Sequence, residues 1–235
     1  LAGGELAIDG DKAKVTAKKG VTLNGGTISV AAAAKDAQIT GSVEVVSGGT
    51  ISLVNAGGLV LKNGLTVDGG KVAVGTDAAA TLTVEGDVSF SGKDALKIGA
   101  ADGKLSVSNG NVTFGEGSIA TDNAGIVEVT GIAENATKTI TVQQGDWANL
   151  IKGKISGSGT NADSSVLKID VQGTAKGKEL DLADVLDASA GTYATKDKIS
   201  GTKVKVAIAA DHATFTGGEV CCGYRQVRRR YFNCW

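Results

Sequence analysis

Five short alternating strands recur along residues 20–130 at a nearly constant interval. They are Val21-Thr22-Leu23, Val43-Glu44-Val45, Leu65-Thr66-Val67, Val88-Ser89-Phe90 and Val112-Thr113-Phe114, with starts 22, 22, 23 and 24 residues apart. A fixed period of this kind constrains the fold more than any other feature, because one repeat cannot bury its apolar face alone and its neighbours must do so. Each strand is followed by a glycine-bearing turn and, seven or eight residues from its start, by a second apolar segment: Ile28-Ser29-Val30, Ile51-Ser52-Leu53, Val72-Ala73-Val74, Leu96-Lys97-Ile98 and, more weakly, Ile119. A third segment completes each unit at Ile39, Leu59-Val60-Leu61, Leu82-Thr83-Val84, Leu105-Ser106-Val107 and Val127-Glu128-Val129. Leu6-Ala7-Ile8 and Val15 read as the second and third strands of an earlier, incomplete unit.

Strands of three to five residues do not survive alone or as single hairpins. Stacked units solve this, since each strand pairs with its counterpart one repeat away and the apolar positions merge into columns. Three strands per unit of about 22 residues is the arithmetic of an all-β parallel β-helix, or β-solenoid. In that fold Val21, Val43, Leu65, Val88 and either Val112 or Phe114 form an inward column, while the intervening Thr, Ser, Glu and Lys face outward. The clusters Asn24-Gly25-Gly26, Ser47-Gly48-Gly49, Asp68-Gly69-Gly70 and Asn109-Gly110 then mark corners that need positive φ. Antiparallel β-sandwich domains are the alternative, since their strands also recur with turn signals between them. Composition favours thin layers: the chain is 42% hydrophobic but only 4% aromatic, with 35 glycines and no proline in 235 residues.

The period fades from Gly131. Thr139–Val142, Val166–Val171 and Lys203–Ile208 still look like strands, residues 153–164 read as a loop by composition, and Glu179–Asp187 reads as a short helix or another coil. The expected organisation is a β-helical repeat region at 1–130, degenerate terminal coils with a β cap or a small β domain at 131–218, and a distinct tail at 219–235. That tail holds all three cysteines (Cys221, Cys222, Cys234), all four arginines (Arg225, Arg228, Arg229, Arg230) and four of the nine aromatics. Three readings stand: a fusion or frameshift, a disulfide-bearing assembly terminus, or a cationic motif for an anionic partner. Cys234 paired with Cys221 or Cys222 strains the chain less than a Cys221–Cys222 bridge.

Several function classes find little support. A net charge of −1 leaves no body-wide basic footprint for nucleic acid. No apolar run reaches the 18 residues of a membrane-spanning helix. The chain opens on Leu1-Ala2-Gly3 without Met or a basic and apolar leader, which predicts a processed product or a fragment. His212 is the only histidine, so no metal site can rest on a histidine pair, and Asp211-His212 followed by Thr214 reads as a turn rather than a triad. Asp9 with Asp11, and Asp184 with Asp187, read as turn and surface acids rather than a hydrolytic pair, and Trp147 is the only tryptophan of the body. No phosphate loop, dinucleotide fingerprint or calcium loop is present, so no cofactor or metal is expected. Asn111-Val112-Thr113 and Asn135-Ala136-Thr137 match the glycosylation acceptor pattern.

The Gly/Thr/Ser/Val-rich coils, with phrases such as Gly48-Gly49-Thr50-Ile51-Ser52-Leu53 and Thr81-Leu82-Thr83-Val84-Glu85-Gly86-Asp87-Val88-Ser89-Phe90, resemble the passengers of bacterial autotransporters and filamentous-haemagglutinin-type adhesins, and the repetitive surface-layer and fibre proteins of bacteria and phages. The resemblance covers about residues 5–130 and is one of style. It implies secretion to the cell surface, a stiff β-helical stalk or self-assembling coat, few cysteines, and partners that are further copies of the chain or a host-surface or glycan ligand. A non-enzymatic extracellular structural or adhesive protein is therefore expected. The rivals are a glycan-active or glycan-binding β-helix of tailspike or lyase type, and a β-sandwich binding module.

Overall fold

The structure, a computed structural model, describes residues 1–53, 57–173, 179–181, 186–187, 194–195, 198–210, 214–216 and 230–234. The strands of its three large sheets stack in parallel on their counterparts a coil earlier and form the three faces of a parallel β-helix. Sheet 1 contains Glu5–Ile8, Thr27–Val30, Thr50–Leu53, Lys71–Val74 and Leu96–Ile98. Sheet 2 runs Lys14–Thr16, Ala37–Thr40, Gly58–Leu61, Thr81–Glu85, Lys104–Ser108, Ile126–Ile132, Lys154–Gly159 and Ile199–Thr202. Sheet 3 runs Val21–Leu23, Val43–Val46, Leu65–Asp68, Val88–Ser91, Val112–Phe114, Thr137–Gln143, Val166–Gln172 and Lys205–Ala210, and Arg230–Cys234 then lies antiparallel on the last of these. The parallel pairing of whole coils excludes the antiparallel sandwich.

The side-chain period of two turns each strand into one buried and one exposed row. In sheet 3 the inward column is Val21, Val43, Leu65, Val88, Val112 and Ile140, in continuous register. Phe114 belongs to the neighbouring column with Leu23, Val45, Val67 and Phe90. The Phe90 and Phe114 rings stack there with centroids 5.4 Å apart and planes 11° from parallel. These rings widen a core made otherwise mostly of Val, Leu, Ile and Ala. At the corner after sheet 3, Gly25, Gly48, Gly69 and Gly92 recur in successive coils with φ of 70°, 78°, 75° and 94°. A Cβ on Gly92 would sit 2.9 Å from the Gly69 Cα, so both the conformation and the close backbone approach require glycine. At the Asn109-Gly110 corner the positive φ, 55°, falls on Asn109 instead.

Beyond Gly131 the stacking continues while the coils lengthen. Partner spacing in sheet 3 goes from 24 residues (Val88 to Val112) to 28 (Val112 to Ile140), 29 (Val166 on Thr137) and 39 (Lys205 on Val166). The fixed period is lost because turns grow, while the register of strands carries on. Within the stretch 153–164, expected to be a loop, Lys154–Gly159 is instead a strand of sheet 2, paired with Ile126–Ile132 and Ile199–Thr202. The glycines that suggested a loop have a packing role. The inward column Val15, Ile39, Leu61, Val84, Val107, Val129 ends in Gly157 and Gly201. A Cβ on Gly157 would meet the Leu167 Cδ2 at 2.6 Å, so the opposite face fills the interior at that level. In Glu179–Asp187, the described residues are strand: Glu179–Asp181 pairs with Thr214–Thr216 and Leu186–Asp187 with Ala194–Thr195.

The sequence reading missed helix α1, Gln144–Lys152. Trp147, Leu150 and Ile151 are buried at i, i+3 and i+4, Asp146 sits in the first turn and Lys152 in the last, where each suits the helix dipole. Following sheet 3 in its coil, α1 occupies the place of a sheet 1 strand and lies over the edge that Leu96–Ile98 and the Leu96–Ile119 bridge leave open. The edge is sealed by side chains. Asp146 Oδ2 accepts the Gly117 N–H at 2.7 Å and Oδ1 the Ile119 N–H at 3.4 Å. Asn149 Nδ2 donates to the Ile119 carbonyl at 3.3 Å, and Lys152 Nζ to the Thr121 carbonyl at 2.6 Å. Covering an unpaired edge in this way ends the growth of a sheet.

Candidate functional site

The outer face of sheet 3 carries the most regular polar surface among the described residues. Thr22, Glu44, Thr66, Ser89, Thr113 and Thr141 stand in one row, one residue per coil. Parallel pairing sets their spacing at about 4.8 Å. The row arises from the same alternation that builds the core: the middle residue of each Val-Thr-Leu-like triplet faces out because its neighbours face in. Midway along it lies a shallow depression of about 300 Å³, lined by Thr66, Ser89 and Thr113 together with Asp87 and Asn111.

Asp87 and Asn111 occupy equivalent positions just before successive strands, 24 residues apart. Asp87 Oδ1 accepts the Asn111 backbone N–H at 2.8 Å and its Nδ2 at 3.1 Å, while Asn111 Oδ1 accepts the Thr139 N–H at 2.9 Å. This clasp ties three coils together and fixes the Asp87 carboxylate at the rim of the depression. The resulting surface offers hydroxyls that donate or accept and one held carboxylate, which suits weak, repetitive contact with a hydroxyl-rich chain. Other carboxylates serve coil-to-coil ladders: Ser29 Oγ donates to Glu5 at 2.5 Å, Lys62 pairs with Glu85 at 2.5 Å, and Lys104 and Ser106 both reach Glu128, at 3.2 and 3.1 Å. The Lys97 ammonium, 2.6 Å from Asp122, holds that carboxyl below its usual range.

Of the two acid pairs weighed as catalytic candidates, Asp9 with Asp11 lies wholly within the described residues. Asp9 and Asp11 are exposed on one turn, and Asp11 Oδ1 accepts the Lys35 N–H at 3.4 Å. Asp184 and His212 lie outside the described residues, and Asp187 is placed by its backbone, opposite Ala194. Trp147 is buried on the inner face of α1 rather than offered as a sugar platform. Cys221, Cys222, Arg225, Arg228 and Arg229 also lie outside the described residues. Arg230 and Cys234 bound the antiparallel strand, with Arg230 opposite Ala210 and Cys234 opposite Val206. Among the described residues no group of three His, Cys, Asp or Glu side chains gathers as a metal site, and no helix is long and apolar enough to cross a membrane.

Sequence reasoning placed the outward Thr and Ser correctly but missed the clasp. Its signal was available: the residue just ahead of the first strand is Asp87 in one repeat and Asn111 in the next. Compared with known proteins, the chain matches no family model, no curated protein and no solved structure.

Proposed function

We propose that the chain is a non-enzymatic structural or adhesive element of an extracellular surface, a stiff β-solenoid that keeps regular polar rows on a rigid body. The observation that carries this reading is the parallel coil-on-coil pairing of sheets 2 and 3, with a register shift between Val129 and Ile132, around a continuous apolar core. Such a stack resists bending because each coil is locked to the next by backbone hydrogen bonds and buried columns at once, and its length grows with the number of coils. Its partners are a second copy of the chain or a surface glycan. Negative-stain microscopy of the full chain and of a version ending at Val220 tests the reading. Rods or filaments from both support it, filaments from the full chain alone assign assembly to the Cys/Arg/aromatic tail, and round particles refute it.

A glycan-binding role along the side of the solenoid is a second reading, favoured by the sheet 3 depression with its hydroxyl row and clasped carboxylate. Binding to immobilised polysaccharides, lost in Ser89→Lys while the rods stay intact, supports it. Release of reducing ends from those polysaccharides refutes the non-enzymatic proposal and revives a lyase or hydrolase.

A further inference from the structure

The two acceptor tripeptides occupy opposite environments. In Asn111-Val112-Thr113, both ends of the Asn111 amide are engaged, Nδ2 with Asp87 and Oδ1 with the Thr139 N–H. Val112 is fully buried, and Thr113 lies between Ser89 and Thr141 within sheet 3. An enzyme could take this segment only by pulling a central strand out of the stack.

Asn135-Ala136-Thr137 sits at a corner. Asn135 is exposed, with φ of 60°, in a turn closed by the Ala136 N–H donating to the Ala133 carbonyl at 3.2 Å. Positive φ at the third turn position is the type II pattern, which tolerates Asn and points its side chain to solvent. The Asn135 amide makes no hydrogen bond among the described residues, and Thr137 is exposed at the first position of its strand. Turn geometry accounts for Asn135 but places no demand on a hydroxyl two residues later.

We propose that Asn135 is a glycan-acceptor site, modified on the folded chain by an N-glycosyltransferase that uses a nucleotide-diphosphate sugar. In the transfer, Asn135 Nδ2 bonds to the anomeric carbon as the bond from that carbon to the diphosphate oxygen breaks. The nucleoside diphosphate leaves with the electron pair, and the displaced amide proton goes to an enzyme base. Asn111 is excluded while the solenoid is folded, so the structure itself selects between two matching tripeptides.

The test incubates the folded full chain with a soluble sequon-specific N-glycosyltransferase and UDP-glucose, alongside a urea-unfolded sample, followed by intact-mass and peptide mapping. The folded chain is expected to gain one hexose, at Asn135, and the unfolded chain a second, at Asn111. Asn135→Gln and Thr137→Ala lose the first hexose, Thr137→Ser restores it, and Asn111→Gln keeps it. Asn135→Gly retains a residue suited to positive φ, so loss in that variant reports the acceptor rather than the turn. An unmodified folded chain, or one modified at Asn111, overturns the proposal.

Discussion

Phe90 and Phe114 are 1% and 0% exposed and stack across one coil spacing, so truncating either opens a void inside a column rather than at a surface. Removing a fully buried phenylalanine to alanine costs about 3–5 kcal/mol. A stacked pair at 5.4 Å adds about 0.5–1.5 kcal/mol beyond area burial. Phe90→Ala and Phe114→Ala are each expected to lower stability by the larger amount. The double variant should lose less than the sum, by the smaller amount, because the stack can be broken only once. Urea titration followed by circular dichroism supplies the midpoints and slopes. Hydrogen exchange supplies the location, which should be the coils between residues 65 and 114, since each coil contacts only its neighbours. Strict additivity within about 0.3 kcal/mol would show that the rings do not face each other. A single-variant loss below about 1 kcal/mol would place Phe90 or Phe114 outside the core and refute the column assignment.

Four further outcomes follow from the packing and the α1 junction. Val45→Asp puts a carboxylate at a fully buried position and should abolish cooperative unfolding of the early coils; an unchanged melting curve would refute the inward assignment. Gly157→Val drives a side chain into Leu167 and should cost about 1–3 kcal/mol, with faster exchange in Lys154–Gly159 and Val166–Gln172 while residues 27–91 keep their protection. Burial raises the Asp146 carboxyl above its ordinary 3.8, against the lowering effect of the Gly117, Ile119 and Ser118 N–H groups. The fold therefore favours its protonated form, so this residue's contribution to stability is fully present below 3.8 and is lost as pH rises through the folded value. The urea midpoint of the natural chain should fall relative to Asp146→Asn over that rise and then level off, and a constant difference would count against a buried carboxylate. Asp146→Ala, which strands two N–H groups, should cost about 1–3 kcal/mol at every pH.

Much of the outward face could be read from the chain. The Thr66, Ser89 and Thr113 row follows from alternation within single triplets, each a local pattern. The Asp87–Asn111 clasp and the fate of the two acceptor tripeptides could not, because they depend on what lies one coil away. Helix α1 left a trace in Trp147, Leu150 and Ile151, but its position over the sheet 1 edge rests on Asp146 reaching Gly117 and Ile119 from 29 and 27 residues away.

The sequence by itself determined the repeat, the three-strand coil, the inward columns and the glycine corners. These are short-range properties: a period-two alternation names the buried face, and an Asn-Gly-Gly or Asp-Gly-Gly cluster names the bend. Tertiary structure alone decided how the stack continues once the coils lengthen. There, Gly157 looks like a loop residue until Leu167 is seen filling the space its missing side chain leaves. The interior holds a fixed volume at each level, and which face fills it is settled between residues brought together across coils rather than within any one of them.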